Sequence, residues 1–174
     1  METTARLVAA AEQLFDRHGY TATGMDRLTE AAGMSSRTLY KHAGSKAQLM
    51  ALVLAERDRR FMARLAVDDV DALFAALEDW VAEEGARGCL FLRARAETGG
   101  ETPEIAHAVA AHKAAFQAHI AAIIEHDLGG RPPALAEQIL VLFEGATHAA
   151  VYRGVDAVRA ARACAELLMD AARP

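Results

Sequence analysis

Helix breakers are scarce in this chain of 174 residues, with four Pro and twelve Gly. That is too little punctuation to cut the chain into many short strands. Aromatic residues make up 6% and are mostly Phe, and β-branched residues are few. Two cysteines, Cys89 and Cys164, do not make a disulfide framework. No window approaches the roughly 18 uncharged apolar residues that a membrane span needs. The opening Met-Glu-Thr-Thr-Ala-Arg has no basic stretch leading into an apolar one, so no secretory signal is expected. What is present is Ala, Leu, Glu and Arg, with 53% hydrophobic and 25% charged residues. That composition is too apolar for a disordered chain and reads as all-α. The expectation is one or two small helical domains in a reduced, cytoplasmic protein.

The charge is unevenly spread. Residues 1–66 hold ten Lys/Arg against seven Asp/Glu, a net of +3, whereas residues 67–174 carry a net of −8. The two parts are expected to meet different partners. The basic part is still not basic enough to bind nucleic acid by charge alone.

Helical periodicity runs through the chain. Leu7, Val8, Ala11, Leu14 and Phe15 mark a first helix that ends at His18-Gly19. A short second helix is expected from Thr23, capped by it with Asp26 three residues on, and stops at Gly33. Ser35 is a good N-cap for a short third helix over residues 36–42, which Ala43-Gly44 breaks. Ser45 and Gln48 form a second capping box, opening a fourth helix to about Ala66. Val70, Leu73, Phe74, Leu77, Trp80 and Val81 form a stripe on a fifth, and a shorter sixth is expected at about 88–98. Pro103 opens a long seventh helix to about Leu128. After the Gly129–Pro133 linker, two more are expected at 134–153 and 155–172, giving about nine helices.

The second and third helices are spaced as a helix-turn-helix. Ala31 and Ala32 offer small residues at the crossing, Gly33 offers a left-handed turn, and Leu28 and Leu39 offer apolar anchors. The exposed face of the third helix is then expected to carry Ser36, Arg37, Tyr40 and Lys41, a short polar helix able to enter a major groove. On pattern alone, a helical hairpin with a solvated basic face remains open.

The stretch Gly33-Met-Ser-Ser-Arg-Thr-Leu-Tyr-Lys-His-Ala-Gly-Ser-Lys-Ala-Gln-Leu49 closely resembles the signature of tetracycline-repressor-type (TetR) transcriptional regulators. Upstream, Ala10-Ala-Glu-Gln-Leu-Phe-Asp-Arg-His-Gly-Tyr20 resembles that family's first helix. The resemblance covers roughly residues 5–53. It implies a helix-turn-helix domain over 1–48, a connecting fourth helix over 46–66, and an all-helical ligand-binding and dimerisation domain over 67–174. It further implies a homodimer that a small ligand releases from double-stranded operator DNA. Carried over by position, Thr23, Tyr40, His42 and Lys46 would touch phosphate, Lys46 from a helix start suited to anions. Ser36, Arg37, Thr38 and Lys41 would face bases, with Arg37 best placed to read guanine. The family usually has Phe where this chain has Ala43, and a small Ala where it has Thr29.

For the back half, the resemblance implies that the last two helices build a four-helix bundle with a partner copy. Gly145, Ala146, Ala149 and Ala150, with Ala157, Ala160, Ala161, Cys164 and Leu168, are the small-residue faces expected there; packing inside the monomer is the alternative. Phe74, Trp80, Phe91, Phe116 and Phe143 are candidates to line an apolar effector cavity, though such aromatics are more often plain core. His112 is the polar candidate to orient a ligand, beside Arg95, His119 and His148. His112, His119 and His126 recur every seven residues, which places successive rings about 10 Å apart along one helix, too far for one metal. No metal or cofactor is expected. Cys89 follows Gly88 near a helix start, where a thiol is either activated or simply a small buried hydrophobe. No nucleophile elbow, His-Glu-x-x-His, phosphate loop or dinucleotide fingerprint is present, so an enzyme is not expected. The competing non-enzyme reading is a helical protein that has lost DNA binding and sequesters a ligand or partner.

Overall fold

The computed structural model describes residues 2–130 and 132–173, which form nine α-helices and no strand among them. These are α1 Glu2–His18, α2 Met25–Ala32, α3 Ser36–Ala43, α4 Lys46–Arg64 and α5 Val70–Glu84. They continue with α6 Leu90–Glu97, α7 Pro103–Leu128, α8 Pro133–Arg153 and α9 Val155–Ala172. The helix ends follow local chemistry. Asp69 caps α5 by accepting the Ala72 N–H at 2.7 Å, and Ser45 caps α4 by accepting the Gln48 N–H at 3.1 Å.

One start departs from expectation. Gly24, not Thr23, sits at the N-cap of α2 and offers no side chain. The Thr23 side chain is fully buried, and its hydroxyl donates to the Gly19 carbonyl at 2.7 Å. A buried hydroxyl must find a partner, and the carbonyl left over at the end of α1 provides one.

The contacts divide the chain into two units, Met1–Arg59 with Leu90–His112, and Arg60–Cys89 with Lys113–Pro174. In the first, α1, α2 and α3 pack on one another through Leu7, Ala11, Phe15, Leu28 and Leu39, all fully buried. Two ion pairs reinforce that core. Arg57 of α4 meets Glu12 of α1 at 2.9 Å with both side chains largely buried, and Arg93 of α6 meets Asp16 of α1 at 3.0 Å. In the second unit, α5, α8 and α9 pack together, and Arg162 of α9 holds Asp71 of α5 through two bonds of 2.5 Å.

The histidines of α7 are tethers. The His119 ring bonds the Leu65 carbonyl at 2.6 Å and the His126 ring bonds the Asp68 carbonyl at 2.9 Å. His112, in the first unit, meets Asp58 of α4 at 2.6 Å. A seven-residue spacing keeps the rings on one side of the helix, so each fixes a different level of it.

Candidate nucleic-acid interface

The helix-turn-helix is assembled by its turn. Gly33 closes α2 in the left-handed region, at φ +60° and ψ +44°, where its N–H bonds the Glu30 carbonyl. The next N–H, from Met34, reaches back to Thr29 O at 3.1 Å, which satisfies the helix end. Ser35 follows at once as N-cap of α3, accepting the Thr38 N–H. A Cβ on Gly33 would meet open space, so only the backbone resists it. Gly33→Ala is expected to cost about 1–2 kcal/mol in urea unfolding and to weaken DNA binding by misplacing α3.

Leu39 anchors α3 with no exposure at all, and this fixes which face looks outward. Ser36, Arg37, Tyr40 and Lys41 are exposed, Tyr40 by half its surface. They are the part of the expected set that is presented to a partner. The rest is engaged internally. Thr38 is half-buried and its hydroxyl shares a 2.9 Å bond with Ser35 Oγ. His42 is half-buried and its Nδ1 lies 3.0 Å from Thr4 Oγ1 of α1. Lys46 opens α4 as expected, but its ammonium donates to the Thr21 carbonyl at 3.3 Å and lies 4.5 Å above the Tyr20 ring. Burial lowers the pKa of Lys46 while the charge of Glu97 pulls it upward. The Tyr20 hydroxyl is raised above its usual value by burial and by Glu104. Thr23, buried and bonded as described, has no hydroxyl to offer a phosphate.

Both departures at the packing positions are accommodated. Ala43 is buried, and the Thr29 hydroxyl donates to the Asp26 carbonyl at 2.6 Å, so neither leaves α3 without its cap or its Leu39 anchor. Arg27 of α2, not singled out in the sequence, is exposed and donates to His18 Nε2 at 2.8 Å. Glu97 and Arg93 were also missed. They lie more than 70 residues from their partners Thr21 and Asp16, and nothing in local spacing signals such pairs.

The aromatic candidates fall into two groups. Phe74, Trp80, Phe116 and Phe143 meet in the second unit around Phe61, which the sequence reading passed over. Centroid distances are 4.8 Å for Phe116–Phe143 and 5.2 Å for the edge-on Phe61–Trp80 pair. Phe91 belongs to the first unit, where it stacks on His112 at 3.8 Å.

The small-residue faces of α8 and α9 split. Ala146, Ala150 and Ala161 are core residues inside the second unit, because the helical repeat turns them toward Phe143 and Val158. Gly145, Ala160 and Cys164 stay exposed, alongside Val141, Val151, Tyr152 and Leu167. Cys89 is half-buried, with Lys113 donating to its sulfur at 3.6 Å.

Nine helices among the described residues, with a glycine-hinged pair presenting Ser36, Arg37, Tyr40 and Lys41 from the second of them, define a helix-turn-helix protein of the all-α kind. Residues 7–53 match the family described as bacterial regulatory proteins, tetR family. Over its full length the fold is similar to a TetR-family transcriptional regulator from Streptomyces coelicolor, with a TM-score of 0.89 at 26% identity covering 99% of this chain and 97% of that one. A TetR-type regulator from Streptomyces avermitilis matches at TM-score 0.81 and 27% identity, covering 99% and 98%. The HTH-type transcriptional activator FasR of Mycolicibacterium smegmatis is 42% identical over 53 residues, 30% of this chain. The chain spans about a quarter of that curated relative, 24%. The N-terminal segment thus matches the tetR family, and the fold as a whole is similar to that of TetR-family transcriptional regulators. None of its described helices is long and apolar enough to cross a membrane.

Proposed function

We propose that this protein is a ligand-responsive transcriptional repressor that binds a palindromic operator as a homodimer. The observation that carries the reading is the exposed Ser36, Arg37, Tyr40 and Lys41 face on a helix whose entry angle is set by Gly33 and Ser35. A guanidinium near the start of such a helix suits the two acceptors on a guanine edge, and the flanking lysine and tyrosine suit phosphate. His42, Thr38 and Lys46 join the contact set on release from their internal partners. The division of labour follows the sequence reading, with DNA binding in residues 1–48 and regulation in 67–174.

The dimer is proposed to form through α8 and α9. Val141, Leu142, Cys164, Leu167 and Leu168 line an open apolar groove between these two helices, a face suited to packing against a second copy. A second copy packed on this face would give the two-fold arrangement that reads half-sites about one turn, roughly 34–36 Å, apart. The effector is proposed to be small and apolar and to part the rings of Phe74, Trp80, Phe116 and Phe143; Phe91 and His112 are candidates by residue type. Such a ligand acts only by favouring the conformation that does not bind DNA. FasR is an activator by name, but the match spans only 53 residues, 24% of that protein, and does not carry its sign of regulation to this chain. A regulator of this kind works beside the chromosome, in the cytoplasm.

The test is selection of genomic fragments on the purified protein, followed by fluorescence anisotropy across a salt series. Enrichment of a palindrome, with log affinity falling linearly against log salt, is the expected outcome. Failure to enrich any sequence would move the weight to the sequestering alternative.

A further inference from the structure

The loop between α1 and α2 is held from two sides, and one of them is acidic. The Thr21 N–H donates to a Glu97 carboxylate oxygen at 2.8 Å, and the Thr21 hydroxyl reaches the Glu97 carbonyl at 3.4 Å. From the other side, the Lys46 ammonium donates to the Thr21 carbonyl at 3.3 Å and sits over the Tyr20 ring. The close approach of Glu97 is written into the sequence at Gly19. That residue has φ +86°, and a Cβ there would fall 2.9 Å from the Glu97 carboxylate. So the C-terminal turn of α6 delivers a negative charge to the same loop that holds a lysine expected at the DNA backbone.

We propose that Glu97 is an electrostatic brake on DNA binding: it holds Lys46 against the α1–α2 loop in competition with a DNA phosphate. This rests on the reading of Lys46 as a phosphate contact. The physics is a choice between two anions for one ammonium. Docked on the loop, Glu97 favours the inward position of Lys46 and adds its own repulsion toward a polyanion. With that charge removed, Lys46 is released to join the backbone contacts, where each added contact steepens the salt dependence of affinity. The placement of Glu97 on α6 makes the strength of the brake depend on how α6 is seated on the loop.

Glu97→Gln separates charge from shape, because its amide oxygen still accepts the Thr21 N–H. The probe is a fluorescein-labelled duplex of about 30 base pairs and arbitrary sequence, long enough for adjacent half-sites and read through its backbone. Full-length parent, Glu97→Gln, Lys46→Ala and the double variant are titrated by anisotropy at low and moderate salt, with circular dichroism melts to confirm equal folding. Glu97→Gln is expected to bind about two- to five-fold more tightly at low salt. Its advantage shrinks as salt rises, and its log–log slope steepens by up to about 0.9. Lys46→Ala is expected to bind more weakly and, in the double variant, to cancel most of the gain. Unchanged or weaker binding by Glu97→Gln, or a gain that persists in full without Lys46, overturns the brake. Unchanged binding by Lys46→Ala overturns the phosphate reading beneath it. Should Glu97→Gln melt early, Glu97→Asp keeps the charge and serves as the comparison: a gain in both variants overturns the proposal.

Discussion

Replacing Arg37 by Ala is expected to weaken operator binding by about 1–3 kcal/mol, roughly five- to 150-fold, and to relax discrimination at one base pair in each half-site. Arg37 is exposed in the first turn of α3 and one residue beyond Ser36, so its removal touches no packing. Adding Tyr40→Ala removes a half-exposed phenol from the same face and is expected to bring binding down to the level of random DNA. The control is that melting temperature and dimer mass stay at the parent value. Specific anisotropy on the selected palindrome, against a scrambled duplex at the same salt, reads the effect. Retained discrimination in the double variant would show that α3 is not the reading element, whatever the fold.

The second large effect is expected at Phe143. This ring is buried in α8 and touches Phe61, Phe74 and Phe116, so it is the hub of the aromatic cluster. Phe143→Ala is expected to cost about 3–5 kcal/mol, because three neighbouring rings lose a partner and cannot all close on the gap. At fixed protein concentration that lowers Tm by on the order of 10 °C. Tyr152→Ala, exposed nine residues along on the same helix, is expected to leave monomer packing unaltered. If Phe143→Ala melted like the parent, the cluster would be loosely filled space and a ready-made effector cavity, not a core that an effector must part.

These two sites differ in how far the sequence exposed them. The α3 face was legible because it is local: a glycine that must turn left-handed, a serine that must cap, and one leucine that must face inward determine the outward residues together. Helix boundaries were legible for the same reason, down to the start of α7 at Pro103 and the end of α8 before Gly154. Thr23 was misread because capping and back-bonding use the same hydroxyl, and only burial decides between them. For Ala146 and Ala150 of α8 the alternative of packing inside the monomer holds, because small residues fit an intramolecular helix contact as well as an intermolecular one; both face the core while Gly145, one residue away, faces out. Arg93, Glu97 and Phe61 were invisible, since each acts through a partner far along the chain or through a ring cluster that no single period reveals.

The pairing of Arg93 with Asp16, and of Glu97 with Thr21, bears on the transplantation of recognition helices between regulators. A graft that joins residues 1–48 to a foreign body looks conservative on the sequence, since it carries the whole helix-turn-helix. It leaves behind the guanidinium that the largely buried Asp16 faces and the carboxylate that steadies the loop after Gly19. It also leaves behind Arg57, which Glu12 meets. A chimera that is to keep the native bearing of α3 has to bring two pieces of chain, the N-terminal segment through Arg59 and the stretch beginning at Leu90, and treat them as one inherited part.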